Sequence, residues 1–154
     1  MQNLKTSSYQ NECLCFPIKQ PYKQNRMGIT FDNSQRKIVA TLPQFPQFEI
    51  LILFFQNVEN CPEIKQKLIS NNDQYNYSFI NPKNLLAFEQ LFSSIYKTLI
   101  NYKNKEIKSK TLNSEFIFQL SPNKNIFDSI KRFGIADELT DLIVIKALDV
   151  EDNE

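Results

Sequence analysis

The sequence EILILFF occupies positions 49–55 and contains the longest apolar run in the chain. A continuous apolar run of this length is typical of a central β-strand that other elements cover on both faces. A second run, LIVI at positions 142–145, predicts another buried strand that lies beside the first. The stretch IVATL at 38–42 predicts a further strand, and the prolines that follow it, Pro43 and Pro46, favour a sheet edge or a connection. A β-sheet is therefore the centre of the predicted fold.

Helical patterns lie between these strands. Asn60 and the proline two residues later predict a helix start, and apolar residues recur every three or four positions from Leu85 to Tyr102. Asn125 is expected to cap a short helix, and Gly134 follows its last turn, where a left-handed residue is expected. Residues 111–120 combine strand propensity with helical spacing, so the pattern alone leaves both structures open.

These elements predict the α/β (α+β) class, with a small mixed β-sheet packed by several helices in a single domain. A length of 154 residues fits one domain with a sizeable core. We expect this domain to span residues 38–150. Residues 1–37 lack periodicity and predict a basic extended or disordered arm, and residues 151–154 predict a frayed acidic tail.

The composition argues against most catalytic and metal-binding functions. The chain has no histidine, which removes the usual general base near neutral pH and the commonest metal ligand. Its cysteines, Cys13, Cys15 and Cys61, form neither a zinc-ligand set nor an even disulfide framework, so we expect free thiols, no metal and no cofactor. No apolar run is long enough to span a bilayer, and we expect a soluble intracellular protein without membrane association. A small enzyme that uses Lys, Tyr or Cys13 remains the least favoured alternative.

Charge is distributed unevenly along the chain, although the formal net charge is only +1. Residues 97–110 contain five lysines and one acid, whereas residues 137–154 contain seven acids and one base. Phosphate affinity would therefore come from local clustering and not from a global field. Both charged stretches are also compatible with ordinary solvated surfaces.

Five short motifs follow one another along the chain: INP at 80–82, KTLNSE at 110–115, LSPN at 120–123, NI at 125–126 and FGI at 133–135. Taken in this order, they resemble the non-catalytic KEOPS (EKC) subunit that binds the PRPK kinase, the family called TPRKB in animals. The resemblance covers about residues 38–150. Each motif is short, but their order and spacing together are fairly specific.

The resemblance implies a TPRKB-like fold and a subunit without catalytic residues. It implies docking on a small atypical PRPK-like kinase, and through it on the other KEOPS subunits, in a complex that makes threonylcarbamoyladenosine in tRNA. It also implies engagement of the tRNA CCA end, a location in nucleus and cytoplasm, a link to telomere maintenance and a helix over residues 112–120. Compared with the family, the C-terminus is expected to be shortened.

The expected contacts divide into a polar set and an apolar set. The basic and polar residues expected to contact RNA are Lys103, Lys105, Lys108, Ser109, Lys110, Thr111, Asn123, Lys124, Lys131 and Arg132. The apolar residues expected to contact the kinase are Phe88, Phe92, Phe127, Ile130 and Phe133. Helix capping competes with ligand contact for the polar residues, and core packing competes with docking for the aromatic ones. The alternative function is a stand-alone RNA-binding module that uses the surface of residues 97–132.

Overall fold

The computed structural model describes residues 28–32, 34–70 and 75–150. Its five strands form one sheet in the order β1-β2-β3-β5-β4, and each neighbouring pair is antiparallel. This confirms the α/β class and the single domain, but the described sheet is antiparallel where a mixed sheet was expected. The strands are β1 (Gly28–Asp32), β2 (Lys37–Leu42), β3 (Phe45–Phe55), β4 (Ser78–Ile80) and β5 (Leu142–Asp149).

Four α-helices accompany the sheet in the described residues, together with a short 3-10 turn at Pro82–Asn84. The predicted helices are confirmed, including the segment that propensity left undecided, which is helical. The helices are α1 (Cys61–Ile69), α2 (Phe88–Lys103), α3 (Leu112–Leu120) and α4 (Ile126–Phe133).

Both faces of the central strands are covered, which explains their continuous apolar sequence. On one face, Ile50 and Ile52 of β3 pack in a core with Leu91, Ile95 and Leu99 of α2. The opposite face packs against α1 through a second, smaller core. An antiparallel strand can therefore show the uninterrupted apolar run that is more typical of parallel sheets, because helices lie on both of its faces.

The start of the folded region differs from the prediction. Strand β1 lies inside the segment predicted as an arm, and it pairs with β2 from Gly28–Thr41 to Asp32–Lys37. Its alternation is weak, with Phe31 half exposed, so periodicity did not reveal it. The rest of the predicted arm, residues 1–27, and the predicted tail, residues 151–154, lie outside the described residues.

Two local predictions are corrected. Strand β3 begins at Phe45 and includes Pro46, which lies where the β2–β3 register shifts and before the pairing with β5 begins. A proline is tolerated there because no regular ladder needs its missing N–H. Gly134 is extended (φ −79°, ψ −179°) and not left-handed. Glycine is needed at this position because there is no room for a side chain: a Cβ would lie 2.4 Å from the carbonyl oxygen of Ile130.

Helices α2 and α3 form an antiparallel pair on the sheet. At one end, the Gln90 Nε2 of α2 donates to the backbone oxygen of Leu120, 3.0 Å away, at the C-terminus of α3. At the other end, Asn101 near the C-terminus of α2 contacts Glu115 in the first turns of α3. The loop of residues 104–111 therefore connects two adjacent helix ends.

Candidate nucleic-acid interface and docking surface

The loop of residues 104–111, here called the basic loop, leaves α2 through a tight turn. The backbone N–H of Lys105 donates to Tyr102 O at 3.1 Å, and that of Glu106 donates to Asn101 O at 2.8 Å. This pair of bonds is a Schellman motif, which requires a left-handed residue at the position of Lys105. Lys105 adopts φ 59°, although glycine is the usual residue there.

The basic loop ends at the cap of α3. Thr111 is the N-cap, and its hydroxyl accepts a hydrogen bond from the backbone N–H of Ser114 at 3.1 Å. The Ser109 hydroxyl donates to the backbone oxygen of Thr111 at 2.8 Å. Both hydroxyls predicted to contact RNA therefore also organise the loop.

Glu115 lies beneath the basic loop and is completely buried. One carboxylate oxygen, Oε2, accepts from the backbone N–H groups of Lys108 at 3.1 Å and Ser109 at 2.9 Å. The other, Oε1, accepts from Gln119 Nε2 at 2.7 Å and Asn101 Nδ2 at 3.3 Å. Glu115 thus joins α2, the basic loop and α3 at one point.

The four donors determine the charge state of this carboxylate. Burial by itself raises the pKa of Glu115, but the hydrogen bonds from Gln119, Ser109 and Asn101 favour the ionised form. Their combined effect lowers the pKa below its ordinary value. Glu115 is therefore an ionised group at neutral pH.

Sequence reasoning missed the role of Glu115, although it lies in the KTLNSE motif. The available signal was its position between Leu112 and Phe116, on the apolar face of α3. An acid on the buried face of a helix needs hydrogen-bond donors in the fold. The sequence does not show which residues would supply them.

The lysines of the basic loop and of the adjoining end of α2 are exposed. Lys103, Lys105, Lys108 and Lys110 lie within eight residues, and with Glu106 they give a local net charge of +3. The Lys108 ammonium lies 5.9 Å from the centre of the Phe118 ring, so its side chain is directed along α3. The structure therefore gathers six of the predicted RNA contacts, residues 103, 105 and 108–111, at one end of the α2–α3 pair.

The other predicted RNA contacts lie elsewhere. Asn123 and Lys124 are exposed in the loop after α3, at the far end of a helix that is about 13 Å long. Lys131 and Arg132 are exposed in the last turn of α4, where the Arg132 backbone oxygen accepts a hydrogen bond from the Asn84 side chain. The predicted RNA surface is therefore divided into separate groups.

The predicted docking residues differ sharply in exposure. Phe127 is 84% exposed and Ile130 is 41% exposed, and their spacing puts both on the outer face of α4. Phe133 is only 3% exposed and belongs to the core, so its expected docking role is corrected. Phe88 and Phe92 are partly buried against the core, with ring centres 5.0 Å apart.

The cap of α4 was predicted correctly. The Asn125 side-chain oxygen accepts a hydrogen bond from the backbone N–H of Phe127 at 3.0 Å, which orients the start of the helix. Capping thus accounts for Asn125, as the sequence predicted. This cap also presents Phe127 on the first turn of α4.

Among the described residues, no group of three or more His, Cys, Asp or Glu side chains has an arrangement that could hold a metal ion. None of the described helices has the length and apolar character needed to cross a membrane.

Comparison with known proteins shows clear relatives. A family model described as kinase binding protein CGI-121 matches residues 55–154. The EKC/KEOPS complex subunit CGI121 of Candida albicans is 44% identical over 123 residues, covering 75% of this chain and 61% of that protein. The corresponding protein of Debaryomyces hansenii is 42% identical over 109 residues, covering 70% of this chain and 55% of that protein. The chain thus spans less than two thirds of the length of these relatives.

Proposed function

The chain belongs to the family of kinase binding protein CGI-121, and from this premise we propose that it is a non-catalytic EKC/KEOPS subunit that docks on a small PRPK-like atypical kinase. Through the kinase it would join the other subunits of the complex, in nucleus and cytoplasm. The observation that carries the docking proposal is the exposed apolar face of α4.

The outer face of α4 has the composition of an interface centre. An aromatic side chain that is 84% exposed on a well-capped helix contributes little to the stability of the isolated chain. Interfaces concentrate their binding energy in a few such aromatic and aliphatic anchors. Leu86, another exposed apolar residue at 91%, lies two residues after Asn84, whose side chain donates to the backbone oxygen of Arg132 at the end of α4. We take Phe127 and Ile130 as the main anchors.

The basic loop supports the second half of the proposal, which is engagement of the unpaired CCA end of tRNA. Lys105, Lys108 and Lys110 are exposed, and no salt bridge neutralises them within the described part of the chain. Single-stranded RNA ends offer phosphates to such lysines and leave their bases open to hydrogen bonding. The local net charge of +3 over residues 103–110 would attract the RNA backbone to this end of the α2–α3 pair.

Kinase docking is tested by titration calorimetry of the purified chain with the PRPK-like kinase of the same organism. We expect one-to-one binding that Phe127→Asp weakens by about 2 kcal/mol or more, because truncating a central anchor and introducing a charge are both unfavourable. Ile69→Asp is the matched control, since Ile69 is also a helical residue, 75% exposed, on α1 at the other face of the sheet. Equal binding by wild type and Phe127→Asp would contradict the proposed surface.

The stand-alone RNA-binding function makes a different prediction in the same experiment. A folded wild-type chain that binds RNA in a salt-sensitive way but does not bind the kinase would favour that function over KEOPS membership. Binding of the kinase by the wild type, lost in Phe127→Asp and retained in Ile69→Asp, would favour the docking proposal.

A further inference from the structure

Glu115 has a structural position that helix capping does not explain. The cap of α3 is already supplied by Thr111, whose hydroxyl accepts from the N–H of Ser114. Glu115 accepts instead from backbone groups of Lys108 and Ser109, which precede the helix. Its bonds therefore determine the path of the basic loop.

Two turns hold the ends of the basic loop, and Glu115 holds its middle. The Schellman motif fixes the loop start at Lys105, and Thr111 fixes its end. Between them, the two backbone bonds to Glu115 connect the loop to the buried side of α3. A buried carboxylate with hydrogen bonds to both oxygens makes the surrounding backbone more rigid, which favours a role for Glu115 in fixing local geometry.

We propose that Glu115 is a positioning residue for RNA-end recognition: it holds the basic loop in the shape in which Lys105, Lys108 and Lys110 meet the phosphates of a single-stranded RNA end. This inference rests on the proposed tRNA engagement. Glu115 does not touch the RNA, because it is completely buried. It acts through the backbone of Lys108 and Ser109.

The negative charge of Glu115 and its role as an anchor predict opposite changes in RNA affinity when the residue is replaced. As a negative charge near a phosphate-binding loop, Glu115 would oppose RNA binding, and its neutralisation would tighten the complex. As an anchor, its removal would let the lysines spread over many conformations, and binding would weaken. The sign of the change therefore identifies the role.

The chain offers a matched control in Glu106. This residue is exposed in the same loop, so Glu106→Gln removes the same charge without removing an anchor. We expect Glu106→Gln to tighten RNA binding about twofold or leave it unchanged, because an exposed charge is well screened. We expect Glu115→Ala to weaken it about tenfold and Glu115→Gln to weaken it less, because glutamine keeps one acceptor oxygen.

The experiment measures binding of the full chain to a single-stranded RNA oligonucleotide that ends in CCA, by fluorescence anisotropy at several salt concentrations. Contact with three phosphates predicts a log–log salt slope of about −2 for the wild type, and loss of one or two contacts in Glu115→Ala would make it shallower by about 0.7 each. Circular dichroism and the urea unfolding midpoint serve as the folding control. If the alanine variant folds poorly, hydrogen exchange of the backbone amides of Lys108 and Ser109 in Glu115→Gln shows directly whether their hydrogen bonds to residue 115 are weakened.

The outcomes separate this inference from the proposed function. Tight RNA binding by the wild type, with weaker binding and faster exchange in the Glu115 variants only, supports the positioning role. Binding by a folded Glu115 variant that equals or exceeds that of Glu106→Gln overturns the positioning role and leaves tRNA engagement intact. Failure of the wild type to bind RNA overturns both.

Discussion

Replacing Glu115 by glutamine keeps the shape of a side chain that accepts four hydrogen bonds and removes its charge. The remaining oxygen of glutamine can still accept hydrogen bonds from the N–H groups of Lys108 and Ser109. The side-chain amides of Asn101 and Gln119 can turn over, so that their oxygens accept hydrogen bonds from the new NH₂ group. The expected loss is therefore the charge assistance in the two backbone bonds. A hydrogen bond to a charged acceptor contributes about 1 kcal/mol more to stability than a neutral one, so the free energy of unfolding should fall by about 2 kcal/mol.

Urea unfolding followed by circular dichroism measures this loss. We expect the midpoint to fall while the slope stays unchanged, because the folded surface of Glu115→Gln is the same. In a thermal scan, the same loss lowers the Tm of a chain of this size by about 4–8 °C. A difference below about 0.5 kcal/mol at pH 7 would refute the argument that this carboxylate anchors the basic loop.

The pH dependence provides an independent check. The pKa of Glu115 is lowered in the folded protein, so the ionised form stabilises the fold at pH values above its unfolded pKa of about 4.3. This contribution is lost as the pH falls from about 5 through the folded pKa. The difference in unfolding free energy between wild type and Glu115→Gln should therefore be largest near neutral pH and shrink in acid. A difference that does not change with pH would show that the charge is unimportant.

Two further substitutions test the backbone geometry, both by urea unfolding. Lys105→Gly should stabilise the fold by about 0.5–1 kcal/mol, because the relief of about 1–2 kcal/mol of left-handed strain at φ 59° exceeds the entropic cost of adding a glycine. The same substitution removes a lysine and should weaken RNA binding. A loss of stability would contradict the assignment of strain to Lys105. Gly134→Ala should destabilise by about 1–3 kcal/mol, because the new Cβ would lie 2.4 Å from the Ile130 oxygen. An unchanged midpoint for Gly134→Ala would mean that the end of α4 adjusts without cost.

Much of the candidate site was predictable because its signals are local. Asn125 and Thr111 are side chains of the kind that cap helices, and both do so. The exposure of Phe127 and the burial of Phe133 were not predictable, since both occur on the same short helix with similar apolar character. Only the position of α4 against α3 and the 3-10 turn at Pro82–Asn84 decides which of its sides is covered.

The sequence alone indicated where most of the helices and the two central strands form, because apolar periodicity and capping residues act over a few neighbouring positions. The apolar run at 49–55 became the central part of β3, and the pattern from Leu85 to Tyr102 became α2 after a short 3-10 turn. The tertiary structure decided the antiparallel strand order, the pairing of β1 and the hydrogen bonds of Glu115. These depend on contacts between distant segments, where many arrangements satisfy the same local pattern and only packing and the need to pair buried polar groups select one.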